Sequence, residues 1–428
     1  MTIPLDNLYD YVNGLLPSPA IIYLFLPHGS KKLNDLRMLN NVSEPDNVIL
    51  PNIICHDQEP LDYDRYTDSQ YEVQEFCKQF DTWCSSTLGL EKFSFLPNQN
   101  LNLALQRYAG VPIYDRTILL HSEINSTQVQ KYQTSGFECC YFWSHALIAR
   151  DWYRFAIHDF RLHRPNYQKK FLIYNRGWTN SREYRLKFLE LISQVDLLDD
   201  SYVNFARTDE NQSYLEYQAH NSKMQVIDYD CFDQLPNNTN SSAASAAYTA
   251  EDFVNTRCSV ILETLFDDQR IHITEKTLRA IACQHPFILA AGPRSLSYLR
   301  HYGFKTFEPY IDESYDVETD SYIRLQKIIH AMQKISALTG PALLDWQERV
   351  NEIARFNQQH FFNSEFSNIV VSELVSNLQT AFNNIGDPKG KQYLKHRQLL
   401  RAYKPDGYNA YLKRPNHRHK LTTLWERR

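Results

Sequence analysis

Glycine is scarce in this chain, with 12 in 428 residues. Neither GxGxxG nor GxxxxGK(S/T) occurs, so the glycine-rich turns that cradle a dinucleotide or a P-loop triphosphate are excluded. Long apolar runs are also missing. The longest clean one, AIIYLFL at 20–26, is far short of the roughly 20 residues that span a bilayer. The opening stretch MTIPLDNLYDYVNG carries acids where a secretion signal places lysine or arginine before an apolar core. The eight cysteines, Cys55, Cys77, Cys84, Cys139, Cys140, Cys231, Cys258 and Cys283, form no CxxC and no metal-ligand spacing. These absences predict a soluble cytoplasmic protein with reduced thiols, no membrane span and no structural metal.

What is present is globular: 43% hydrophobic and 13% aromatic residues, enough for a packed core. A chain of this length is expected to hold two domains. The net charge of −5 conceals an asymmetry. From Pro388 to Arg428 there are twelve Lys/Arg against two acids, which leaves −15 on the first 387 residues.

Short apolar segments alternate with helical ones. AIIYLFL, VILPNIICH (48–56), RTILLHSE (116–123) and CCYFW (139–143) read as strands. After the polar join HRPNYQKK (163–170) the pattern restarts with KKFLIYN, SREYRLKFLELISQV, SYVNFA, MQVIDY, CSVILETLF and PFILAAG. Alternation of this kind predicts an α/β class with parallel sheets. The expected layout is a Rossmann-like domain at 1–165, a second at 166–345, closing helices at 346–384 and a basic aromatic tail at 385–428.

Ligands of open α/β sheets bind at the carboxyl ends of the strands. The polar residues there divide by type. His28, Asp57, Glu59, His121, Glu123 and His145 follow strands of the first domain. Asn175, Arg176, Arg182, Arg185, Glu263, Thr274, Glu275 and Lys276 follow strands of the second. The first set is suited to moving a proton, the second to holding an anion. Lys276 is the sharpest signal. It stands in the first turn of a helix capped by Thr274, where a cation opposes the helix dipole at a cost of about 0.3–1 kcal/mol. A bound anion would reverse the sign of that term.

HITEKTLRAIACQHPFILAAGPRSLSYLRHYGFKTF (272–307) resembles the donor-binding segment of the α-1,3-fucosyltransferase-like glycosyltransferases. Together with YNR…REYRLKFLELI, HSE and QEPL it is also similar to a set of phage-encoded glycosyltransferases. The resemblance implies a GT-B architecture of two Rossmann-like domains, an acceptor-facing one followed by a nucleotide-sugar one. It implies that Glu275 meets hydroxyls of the donor sugar or ribose, that Lys276 meets the diphosphate, and that Arg182 or Arg185 clamps the phosphates. Glu59, in HDQEPL, would be the general base, with Asp57 beside it. His28, His121, Glu123 and His145 would face the acceptor. The implied donor is a nucleoside-diphosphate sugar such as a UDP-sugar, with no prosthetic group and no essential metal.

The tail interleaves its cations with Tyr393, Tyr403, Tyr408, Tyr411 and Trp425, a mixture that meets phosphates with charge and bases with aromatic faces. With the phage resemblance, this makes DNA carrying a hydroxymethylated pyrimidine one expected acceptor, and the host cytoplasm the expected location. Glycans or lipopolysaccharide are the other acceptor class. A metal-dependent transferase using Asp228 and Asp230 is an enzymatic alternative, and a non-catalytic carbohydrate or nucleic-acid binding module is the alternative outside enzymes.

Overall fold

The computed structural model describes residues 117–134, 137–175, 177–205 and 245–386, together with residue 15 and the short segments 21–25, 33–38, 52–55, 60–61, 208–209 and 212–213. The chain divides into two compact units. One runs from His145 to Val370; the other takes Asp6 to Ser144 and the residues from Val371 onward. The join at 163–170 therefore lies inside the first of these. It is tied there by Asn166 N–H donating to Val254 O at 2.7 Å and Gln168 N–H to Asn255 O at 2.8 Å.

The unit ending at Ser144 holds β1 (Ile21–Phe25), β2 (Leu33–Met38), β3 (Asn52–Cys55), β4 (Thr117–His121) and β5 (Glu138–Tyr141). They form one sheet in the order β2-β1-β3-β4-β5. Only β2 is antiparallel. Helix α1 (Thr127–Thr134) crosses from β4 to β5. Its Tyr132 packs with Phe137, Leu119 and Leu61 in a small apolar cluster. Helix α2 (Ser144–Trp152) then carries the chain into the next unit.

That unit is built on β6 (Lys169–Asn175), helix α3 (Tyr184–Gln194), β7 (Ser201–Phe205) and a two-rung hairpin of β8 (Thr208–Asp209) and β9 (Gln212–Ser213). Helix α4 (Ala250–Val254), β10 (Thr256–Leu262), helix α5 (Glu275–Ala282), β11 (Phe287–Ala290) and helix α6 (Ser295–His301) follow. The four long strands are all parallel, in the order β11-β10-β6-β7. Cys258, Val260 and Leu262 on β10 and Phe171, Leu172 and Ile173 on β6 are fully or nearly fully buried. Apolar residues on successive positions are what a parallel sheet covered on both faces requires. The chain steps from β6 outward to β7, then returns to β10 on the other side of β6. The carboxyl ends of β6 and β10 therefore flank a topological switch point.

Three helices follow, α7 (Ser321–Ser336), α8 (Gly340–Phe362) and α9 (Ser364–Gly386), the last two spanning the closing helices expected at 346–384. Buried Arg150 of α2 closes the carboxyl end of α8, donating to Phe361 O, Phe362 O and Asn363 O, a cation placed where the helix dipole is negative. None of the described helices is long and apolar enough to cross a membrane. Glycine is required at 292: a Cβ there would lie 2.4 Å from Arg270 O, so only glycine lets the 268–270 turn pack against the end of β11.

One core histidine carries a pH prediction. His285 is buried with Nε2 donating to Thr256 O at 2.9 Å and Nδ1 accepting from Ser259 Oγ at 2.7 Å. A carbonyl can only accept, which places the proton on Nε2. Burial lowers its pKa from 6.5 to about 4, against hydrogen bonds that oppose the shift. The unfolded chain thus binds a proton that the folded chain does not between those values. Stability is full above pH 6.5 and falls as the pH drops toward 4, by about 3 kcal/mol at 1.36 kcal/mol per unit. Urea midpoints between pH 7 and 4.5 should fall more steeply for the native chain than for His285→Phe.

Candidate functional site at the β6–β10 switch point

The register Ser259↔Leu172 between β10 and β6, carried three residues forward, sets Asn175 beside Leu262 at the carboxyl edge. On its other side Asn175 pairs with Phe205. Asn175 is fully buried, and neither its Oδ1 nor its Nδ2 has a hydrogen-bond partner among the described residues. A buried amide with both polar atoms unsatisfied costs a few kcal/mol. Such an expense calls for an explanation in what the amide meets.

The turn after Asn175 is fixed from two directions. Asp209, on the β8–β9 hairpin, accepts Trp178 N–H at 2.7 Å, Thr179 N–H at 2.8 Å and Thr179 Oγ1 at 2.8 Å. Burial raises the Asp209 pKa, but the Thr179 and Trp178 donors and the Arg182 charge outweigh it and hold the carboxyl below its usual range. From beneath, Arg185 donates to Gly177 O at 2.5 Å, Leu262 O at 2.7 Å and Glu263 O at 3.0 Å. Its guanidinium joins the ends of β6 and β10. Arg182, by contrast, is half-buried beside Gly177 and Asp209.

Across the switch point, Glu263 is turned inward. Its carboxylate accepts Thr274 N–H at 3.1 Å, Thr274 Oγ1 at 2.6 Å, Thr277 Oγ1 at 2.6 Å and Thr264 N–H at 3.3 Å. It anchors the start of α5. Thr274 is the N-cap expected from the sequence, extended at φ −110° and ψ −175°, its Oγ1 accepting Lys276 N–H. Leu278, Ile281 and Ala282 form the buried face.

Lys276 is partly exposed, and its Nζ lies 3.0 Å from Glu275 Oε1, 3.2 Å from Thr274 Oγ1 and 3.4 Å from Thr264 Oγ1. The cation is thus balanced in part by Glu275, which is buried. Burial raises the Glu275 pKa, yet Lys276, His145 and Arg279 outweigh it and keep the carboxylate well below its usual range. His145, expected with the first domain, belongs by contact to the same unit as Glu275. Its ring meets that of His272 edge-on at 5.0 Å.

The structure therefore gathers Asn175, Arg182, Arg185, Glu263, Thr274, Glu275, Lys276 and His145 in one unit. Asp57, Glu59, His28 and Arg176 lie outside the described residues, as do Asp228, Asp230 and the basic tail. In the other unit, His121 is buried at the end of β4, its Nδ1 accepting Glu123 N–H at 3.3 Å. Glu123 accepts Leu61 N–H at 2.6 Å and Ser126 Oγ at 2.5 Å. Glu123 thereby pins the backbone two residues beyond Glu59.

Three groups at the switch point were not expected: Asp209, His272 and Arg279. Arg279 covers the Tyr174 ring at 4.4 Å and stands four residues after Glu275, a helical spacing that could have disclosed it. Asp209 reaches the site from some thirty residues downstream, and no local signal marks it. No protein family, curated protein or solved structure matches this chain.

Proposed function

We propose that this protein is an inverting glycosyltransferase of GT-B type that uses a nucleoside-diphosphate sugar. The observation that carries the reading is the fully buried Asn175 amide at the β6–β10 switch point, unpartnered among the described residues, in the unit whose helix α5 bears Lys276 in its first turn. The amide offers a donor and an acceptor, the pair that a ribose or sugar hydroxyl needs. The amides of the first turn of α5 and Lys276 receive the diphosphate, with half-buried Arg182 as the second cation. Arg185 is buried and its two terminal nitrogens serve three carbonyls, so it is assigned to shaping the turns, with Arg182 taken as the phosphate cation.

The reaction is a single displacement. Glu59 takes the proton of the acceptor hydroxyl, and the oxygen forms a new bond to the anomeric carbon. The bond from that carbon to the diphosphate breaks, and the configuration inverts. Charge accumulates on the leaving diphosphate, where fixed cations and helix amides stabilise it without reorganising. No metal is required for that role. The acceptor favoured by the tail's mixture of cations and aromatics is a hydroxymethylated pyrimidine in DNA.

The reading is tested by thermal melting with UDP and GDP in EDTA. Saturating amounts of the correct diphosphate should stabilise the protein by about 3–4 kcal/mol, the mass-action effect at 100–1,000 times the dissociation constant. Absence of any shift with either at millimolar concentration would remove the donor site.

A further inference from the structure

The stretch of short helical turns that follows α2 turns two phenyl rings outward. Phe155 and Phe160 are each 65% exposed, while Tyr153, Ala156 and Leu162 of the same stretch are buried. Each outward ring carries an arginine over it: the Arg154 guanidinium carbon lies 4.7 Å from the Phe155 centroid, and that of Arg164 lies 5.3 Å from the Phe160 centroid. The other exposed residues from 154 to 166 are His158, Arg161, His163, Pro165 and Asn166. No acid of the stretch is among them. Asp159 is turned inward, where it accepts from Arg161 and from Tyr248 Oη.

Not all of this charge is free. Arg154 pairs with Asp151 at 3.2 Å, and Arg161 pairs with Asp159 at 2.7 Å and reaches exposed Glu251 at 3.4 Å. Arg164 has no ion pair among the described residues. The surface thus presents two exposed phenyl rings, each with a guanidinium over it. Single-stranded nucleic acid needs this combination, since unstacked bases settle on aromatic faces while phosphates meet cations. An interfacial membrane anchor would gather its apolar groups on one face of an amphipathic helix. Here His158 and inward-turned Asp159 separate the two rings.

We infer that the 154–164 surface binds single-stranded nucleic acid, with bases stacking on Phe155 and Phe160 and phosphates meeting Arg164 and its neighbours. The surface bears on the acceptor of the proposed reaction, yet it stands on exposed groups remote in sequence from the donor residues. The experiment measures fluorescence anisotropy of a labelled oligothymidylate with the full chain in a salt series. Phe155→Ser/Phe160→Ser and Arg164→Ala are compared with the native protein.

Loss of two stacking rings should weaken binding by at least about 10-fold. Arg164→Ala should lower the salt slope by about 0.7, the value for one phosphate contact on a single strand. Both variants should melt as the native protein does, because the altered side chains are exposed. Diphosphate-induced melting shifts, measured on the same variants, report the donor site separately. Three results would each overturn the inference: no oligonucleotide binding at low salt, equal affinity in the double variant, or binding of anionic phosphatidylserine vesicles in preference to the oligonucleotide.

Discussion

Replacing Lys276 by glutamine should weaken nucleoside-diphosphate binding by about 10- to 100-fold and slow sugar transfer by about 10²- to 10³-fold. The substitution keeps a hydrogen-bonding end near Thr264 and Thr274 but removes the charge. A charge-assisted contact to phosphate contributes about 1.5–3 kcal/mol. Removing one stabiliser of developing negative charge costs about 10²–10³ in rate. Affinity for the parent nucleoside, which has no phosphate, should not change. Calorimetric titration of diphosphate and nucleoside into both proteins separates the two readings of this lysine. If Lys276 served only to neutralise Glu275, the variant would melt lower and the ratio of the two affinities would be unaltered.

The largest stability loss is expected from Glu263→Ala. The carboxylate is the acceptor for both the N–H and hydroxyl of Thr274 and for the hydroxyl of Thr277, all buried. Its removal leaves those donors unsatisfied and the start of α5 unanchored. Losing a buried charged acceptor with several donors costs about 3–5 kcal/mol. For a unit of this size that corresponds to a melting temperature lower by roughly 6–15 °C. Differential scanning calorimetry would record it, and Glu263→Gln, which retains one acceptor oxygen, should lose less. A variant that melts as the native protein does would mean that these hydrogen bonds are not what holds α5.

Much of the scaffold was legible in the sequence because its signals are local. Thr274 followed by apolar residues at helical spacing marks α5, and continuous apolar runs mark β6, β10 and β11. The parallel α/β class followed from their alternation. Strand β2, LNDLRM, escaped because it has neither a continuous apolar run nor clean alternation. Strands β8 and β9 have only two residues each, too short for a period.

The candidate site divides in the same way. Asn175, Glu275 and Lys276 could be selected because strand ends and helix starts can be read locally. The choice between Arg182 and Arg185 could not, since both follow one strand within ten residues. That Arg185 meets the carbonyls of Leu262 and Glu263, nearly eighty residues away, likewise has no local signal. His145 follows a strand of one unit in sequence but belongs by contact to the other. Residue order alone carries no trace of that crossing.

Arg185 has a consequence for how a ligand would be received. A guanidinium is a rigid planar fork, and here its prongs hold the backbone leaving β6 and the backbone leaving β10. The spacing of the two strand ends is therefore set by a covalent plane of constant size, and a guest need not draw them together. A ligand of the proposed kind would meet strand ends already held at a set spacing, with little chain motion left to arrest.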